Sequence, residues 1–210
     1  MAQTAITICN SAIVKLGGRQ IVGFNDGTPE ADLCKIRYPF CRNLLLRDHV
    51  WAFDQKFSTL AALVSTDPVP PSWTNQFDVP TDCARIVAVT TYDDLDVPYE
   101  RIGGRIYTNT TSIDVRYTKN YTAIDEGVSF PDDFAEVLSL YLAMDVCLSL
   151  TQNVGLRNSL EQQYHYRLAQ AKFNGAVERP STVLACTGWL DAHAGWQSDV
   201  TDPRNKDLAN

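Results

Sequence analysis

The side chains that could do metal or acid–base chemistry are few and scattered along the chain. Only three of the 210 residues are histidines, and His193 alone has candidate co-ligands nearby, in Asp191 and Cys186. A structural or catalytic zinc ion needs three or four such ligands, and no further His or Cys stands at ligand spacing there. The sequence therefore predicts no metal site and no bound cofactor.

The remaining candidate groups are better explained by structure than by catalysis. His49 ends an apolar helical stripe, and His165 lies in a polar stretch typical of a solvated helix face. The acid pairs at 93–94 and 132–133 suit a turn and a helix start rather than a general acid and base. Cys83 has no histidine near it in sequence to activate its thiol. Since GxGxxG, P-loop, GxSxG and HExxH motifs are missing too, we expect no catalysis; an enzyme with an unfamiliar site is the weaker alternative.

Composition indicates a folded protein of a reducing compartment. Apolar residues make up 45% of the chain, which is enough for a core. The N-terminus lacks a basic start, and no apolar run approaches the roughly 18 residues of a membrane span, so we expect neither export nor membrane association. The six cysteines are scattered without a CxxC pair, which favours free thiols. A formal charge of -7 does not supply the positive field of a tight DNA-binding protein.

Two helices are predicted before residue 52. Apolar residues recur at three- and four-residue spacing over 6–16 and again over 31–45. Thr28 and Pro29 provide an N-cap and a first helical position for the second helix. Pro39 lies inside that helix and is expected to kink it, because proline lacks an N–H and clashes with the preceding turn.

Two more helices are predicted after residue 129. Pro131 and two acids open a segment that is apolar on most of its circumference over 134–150, which is typical of a central helix. After a link that ends at Gly155, a fourth stripe runs over 156–171 and is expected to stop at Gly175.

Between these helix pairs, residues 53–120 alternate with a period of two and are rich in β-branched and aromatic residues. Gly103-Gly104 separates two such runs and indicates a tight hairpin. We therefore expect one small antiparallel sheet. Its predicted strands begin with the alternation at Phe53 and continue over 85–91, 97–102, 105–108 and 112–118.

The predicted fold is α+β: a four-helix bundle with a small antiparallel β domain inserted between helices 2 and 3, plus an irregular C-terminal arm. The bundle would comprise residues 1–52 and 129–177, the β domain 53–128, and the arm 178–210. The arm shows no sustained period and yet is rich in large apolar side chains, which suggests that it orders by docking on a partner. Folding back onto its own helices is the alternative. The candidate interface residues are Trp189, Trp196, Val183 and Leu184.

Four stretches, in their order and spacing, carry a family resemblance over about residues 4–175. Each also has a structural role, so none is specific alone. They are Cys9-Asn10-x-Ala12-Ile13-x-x-Leu16-Gly17 with the start Gly27-Thr28-x-Glu30-Ala31; Tyr38-x-x-x-Arg42-x-x-Leu45-Leu46-Arg47-x-His49-x-Trp51-x-Phe53; Trp73-x-x-Gln76-Phe77-x-x-Pro80-x-Asp82-Cys83-x-Arg85; and Val115-Arg116-Tyr117 with Phe130-x-x-x-Phe134 and Leu150-Thr151-x-Asn153.

With these stretches the chain resembles the tail tubular protein A family of phage head–tail adaptors and its relatives in long-tailed phages. The resemblance implies a structural virion protein of the neck, assembled in the host cytoplasm, that forms a ring of about twelve copies under the portal. The implied partners are further copies of the chain, the portal protein, the downstream tail or nozzle protein, and DNA passing through the ring. A tail-completion or other neck protein on the tail side is the open alternative.

Arg101 and Arg105 flank the predicted hairpin turn and are candidates for contact with DNA or a neighbouring subunit. A solvated hairpin tip is the simpler alternative.

We expect removal of the arm after Gly175 to leave a folded domain with a nearly unchanged melting temperature, because all four helical stripes remain. The same truncation should sharply weaken attachment to the portal or to neighbouring copies. Replacing Trp189 and Trp196 by alanine should reproduce much of that loss, at about 2 kcal/mol for each buried anchor. A thermal melt beside a portal co-sedimentation assay checks both; a truncated chain that unfolds would instead place the arm in the subunit's own core.

Overall fold

In the part of the chain that the structure describes, four helices and two small antiparallel sheets make a mixed α+β fold, as the sequence predicts. The computed structural model describes residues 3–64, 67–93, 95–124 and 130–177. The helices are α1 (Ala5–Lys15), α2 (Pro29–Asp48), α3 (Asp132–Thr151) and α4 (Val154–Val177), and the strands are β1 (Gln55–Ala61), β2 (Asn75–Asp78), β3 (Cys83–Thr90), β4 (Glu100–Ile102), β5 (Arg105–Thr108) and β6 (Ser112–Lys119).

The first two helices begin at hydroxyl caps. The Thr28 side chain accepts a hydrogen bond from the Ala31 N–H at 3.3 Å, which confirms the predicted start of α2. Thr4 caps α1 in the same way. α2 runs uninterrupted through Pro39, and the predicted kink there stays a prediction.

α3 is the central helix, because it packs against α1, α2 and α4. Half of its twenty residues are buried, including Ser139, whose hydroxyl lies 2.8 Å from the Lys15 ammonium group. By length and composition α3 could also cross a membrane, alone among the described helices, although the core helix of a globular protein passes the same test. Within the structure 56% of that apolar window is buried against the rest of the chain.

The turn between α3 and α4 differs from the prediction. Gln152, rather than a glycine, takes the left-handed conformation that ends α3, with φ of 52°. The Asn153 side chain then accepts from the Leu156 N–H and caps α4, so Gly155 lies inside the first turn of that helix. α4 also continues past the predicted stop at Gly175 and ends at Val177.

The strands form two three-stranded sheets, not the single sheet expected. The first has the order β1-β6-β3, and the second has the order β2-β5-β4. β2 was not predicted, because four residues are too few to show a clear alternation. β4 covers only Glu100–Ile102 instead of 97–102. The predicted hairpin at Gly103-Gly104 joins β4 to β5, and Gly103 has the positive φ of 59° that such a turn requires.

The predicted strand start at Phe53 is wrong. Residues 52–54 form a short 3₁₀ turn, and β1 begins only at Gln55. Phe53 packs edge-on against Phe134 at a centroid distance of 5.0 Å and joins an aromatic cluster with Trp51 and Phe130. Tertiary packing on the helices therefore overrides the alternating pattern at this end of the strand.

Two hydrophobic cores result, one among the helices and one among the strands, and they share no residue. Arg42 of α2 binds the segment that follows the strands. It is only 2% exposed, and its guanidinium donates to the backbone carbonyls of Tyr121, Ala123 and Ile124 just after β6. The guanidinium carbon also lies 5.1 Å from the centre of the Tyr121 ring. The segment leaving the strands is thus bound to α2 by a buried cation.

We expect Arg42→Met to lower the free energy of unfolding by about 3 kcal/mol, because it removes the hydrogen bonds that a buried guanidinium donates to three carbonyl groups. Arg37→Met is the matched control on the same helix, since Arg37 pairs with Asp145 at the surface and such a pair contributes roughly 1 kcal/mol or less. Urea denaturation of the wild type and both variants makes the comparison. Equal losses in the two variants would contradict the role assigned to Arg42.

Candidate functional site

The predicted interface residues of the arm, Trp189, Trp196, Val183 and Leu184, lie outside the described residues. So do Cys186, Asp191 and His193, the members of the candidate metal site. Among the residues that are described, no group of three or more His, Cys, Asp and Glu side chains is placed to hold a metal ion.

The two arginines of the β4–β5 hairpin have different surroundings. Arg105 is held by Asp67 at 2.6 Å, by Asp78 at 3.9 Å and by the Gln76 side chain at 2.6 Å. Two carboxylates therefore match its charge, which argues against Arg105 as a DNA contact. Arg101 is exposed and forms no ion pair with a described carboxylate.

The other side chains considered for catalysis take part in ring packing or in the start of a helix. His49 packs edge-on against Trp51 at 5.0 Å, and His165 lies against Tyr164 on the exposed side of α4. Asp132 and Asp133 begin α3 and accept hydrogen bonds from Gln3 and Asn174.

Asp54 is the buried carboxyl group that the sequence did not reveal. It is 4% exposed, and its Oδ1 accepts from the Tyr121 hydroxyl at 2.6 Å, whereas no described group donates to Oδ2. Burial raises its pKa to about 6, against the opposing effects of the Tyr121 hydrogen bond and of Lys119, Arg42 and Lys56. Asp54 is buried and lines neither of the surface grooves described next, so its position is structural.

A groove of about 630 Å³ lies between α2 and the start of β3. On the α2 side its lining includes Ile36 and Phe40, which are 69% and 53% exposed. Cys83 and Ala84 line the β3 side, and burial raises the pKa of the Cys83 thiol, so it is poorly suited to act as a nucleophile. We call this surface, lined further by Pro39, Asn43, Leu44, Arg47, Asn120, Tyr121 and Thr122, the α2 groove.

The rim of the α2 groove is basic although the chain is acidic overall. Arg47 and Arg85 are exposed there, and the Arg85 guanidinium donates to the Arg47 carbonyl at 3.1 Å. The charge of Arg101 acts on the Cys83 thiol, which places a third arginine nearby. None of the three pairs with a described carboxylate. Asp82, the acid directly before β3, forms an ion pair with Lys56 at 2.7 Å.

A second apolar surface lies at the end of α4. Tyr166, Phe173 and Val177 are 63%, 70% and 70% exposed, and the first two border a groove of about 490 Å³ shared with the start of α3. We call it the α4 groove. Its polar lining includes Asp133, Glu136, Arg167 and Asn174.

Sequence reasoning missed both grooves, although a signal was present. Ile36 and Phe40 are apolar residues four apart that lie off the buried stripe of α2, so they mark a second apolar face. No family model matches the chain, and no curated protein matches it at a significant level.

Because the pKa of Asp54 is raised from 3.8 to about 6, its contribution to stability is fully present below pH 3.8 and is lost as the pH rises through 6. Asp54→Asn keeps an acceptor for Tyr121 and removes the titration. Relative to the wild type, the variant should gain about 3 kcal/mol of stability between pH 4 and pH 7. Urea denaturation across that range measures the difference.

Asp82→Asn is the control of opposite sign. In the wild type, the hydrogen bond from Lys56 lowers the pKa of Asp82. The ionised carboxylate therefore contributes stability above the ordinary aspartate pKa, and this stability is lost only in stronger acid. The difference between this variant and the wild type should stay flat from pH 4 to 7. A flat difference for Asp54→Asn as well would show that Asp54 is not buried as described.

Proposed function

We propose that this chain is a structural phage protein, a ring-forming adaptor that connects the portal to the tail and lets DNA pass. The observation that best supports this function is that one subunit presents two apolar grooves of different charge. The α2 groove has a basic rim, whereas the α4 groove is lined in part by acids. An adaptor ring requires such unlike patches, because each copy must contact its neighbours in the ring and must also bind a different protein outside it.

The finer architecture belongs to the same proposal. Residues 1–52 and 129–177 would be a four-helix bundle, 53–128 an inserted β domain, and 178–210 an arm that docks on a partner. The separate helical and strand cores support this division. The Arg42 junction supports it too, because a buried cation bound to three carbonyls joins the two parts firmly. A rigid subunit keeps its two surfaces at a constant angle, as ring closure demands.

The surfaces also suggest which partners meet where. The α4 groove is lined by the last turns of α4, a few residues before the arm 178–210, so in this proposal α4 and the arm bind the same partner, the portal protein. The remaining surfaces serve neighbouring copies and the downstream tail or nozzle protein. With a net charge of -7 and Arg105 neutralised, passing DNA would make only transient contact.

A neck protein on the tail side, such as a tail-completion protein, would use the same surfaces. Electron cryo-microscopy of the purified particle separates the two: the adaptor contacts the portal directly, whereas the tail-side protein does not.

We expect the Tyr166→Glu/Phe173→Glu variant to bind purified portal assemblies at least tenfold more weakly than the wild type, because exposed aromatic side chains commonly anchor interfaces. Co-sedimentation with the portal measures this loss. Val64→Glu is the matched control, since Val64 is fully exposed and lies away from both grooves. If the wild type itself fails to bind portal and to form rings on it, the proposed function is wrong.

A further inference from the structure

The turn after β3 presents apolar and acidic side chains together. Tyr92 and Leu95 are 96% and 64% exposed, and Asp93 and Asp96 beside them are exposed as well. We call these four residues the acidic turn. Neither of its described acids forms an ion pair with a described cation. Large apolar side chains this exposed are costly in water and are typical of contact surfaces.

The acidic turn is held in shape by backbone hydrogen bonds. The Thr91 N–H donates to the Leu95 carbonyl at 2.9 Å, and the Val97 N–H donates to the Val89 carbonyl at 3.0 Å. Val97 is buried in the strand core, which anchors the returning chain. A preorganised turn loses little conformational entropy when it binds, so its exposed side chains can contribute most of their burial energy.

The acidic turn and the α2 groove lie at opposite ends of the same strand. Cys83 and Ala84 open β3 and line the groove, whereas the turn follows Thr90 at the other end. Eight strand residues separate the two surfaces by roughly 26 Å at about 3.3 Å per residue. One subunit therefore cannot bring its own turn into its own groove, but a second copy can bring its turn there.

We propose that the acidic turn of one copy inserts into the α2 groove of the next, as the contact between neighbours in the ring; this rests on the proposed function. Tyr92 and Leu95 enter between Ile36 and Phe40. Asp93 and Asp96 meet Arg47 and Arg85 on the groove rim. The two surfaces are complementary in both apolar character and charge, and neither has an ion-pair partner among the described residues of its own subunit. Since they are different and lie at opposite ends, repetition is head-to-tail and leads to a ring or a filament.

Chemical cross-linking between two different full-length variants tests the pairing. Ile36→Cys marks the groove and Leu95→Cys marks the turn, both in a Cys83→Ser/Cys186→Ser background that leaves the buried cysteines in place. A short bismaleimide is added to each variant alone and to their mixture, with and without portal. The expected result is a covalent dimer in the mixture only, because head-to-tail contact joins unlike marks.

Charge reversal supplies the specificity control. Arg47→Glu/Arg85→Glu in the groove variant should lower the dimer yield several-fold, and Asp93→Lys/Asp96→Lys in the turn variant should restore it. Arg19→Glu/Arg116→Glu is the matched reversal at two exposed arginines that do not line the groove, and it should leave the yield unchanged.

Dimers from either variant alone would show a like-to-like contact and overturn the proposal. Rings that form on the portal without any cross-link in the mixture would also overturn it, while leaving the adaptor function standing. Cross-linking without any attachment to portal would have the reverse meaning: the head-to-tail contact would be supported and the adaptor function would fail.

Discussion

The buried guanidinium of Arg42 is the interaction on which the arrangement of this protein depends. The described chain leaves the helices through residues 49–54 and comes back from the strands through residues 120–124, and the two parts have separate cores. Arg42 binds the second segment through the Tyr121, Ala123 and Ile124 carbonyls. Its neighbour Asn43 donates to the same Tyr121 carbonyl. An arginine suits this place because its donors are spread over a rigid planar group and reach separate carbonyls, whereas the donors of a lysine share one nitrogen.

Tyr121 carries the connection on to the first segment. Its ring lies near the Arg42 guanidinium and the Lys119 ammonium group, and its hydroxyl donates to Asp54 in the 3₁₀ turn. Both connecting segments therefore meet at one aromatic ring. Burial raises the pKa of Asp54 more than the Tyr121 hydrogen bond and the nearby cations lower it.

At the surface, by contrast, several charged side chains have no described partner of opposite charge. The chain is acidic overall, yet three arginines without described carboxylate partners lie by the α2 groove. By contrast, Lys15 pairs with Glu136 and Arg105 pairs with Asp67. Unmatched charge beside exposed apolar side chains favours association with a complementary surface, and opposite charge also speeds correct encounters.

Local chemistry was enough to predict the elements whose signals lie within a few residues. Thr28 caps α2 because its hydroxyl meets an N–H three residues on, and Gly103 turns the hairpin because only glycine readily takes its positive φ. Contacts between distant residues decided the rest. Phe53 packs in the aromatic cluster of the helices instead of continuing the strand alternation. The strands form two sheets through long-range pairings such as β1 with β6. Arg42 and Asp54 are buried through their hydrogen bonds with Tyr121. The α2 groove likewise forms only where α2 meets the start of β3. No short stretch of sequence contains both of these elements, so local patterns could not predict it.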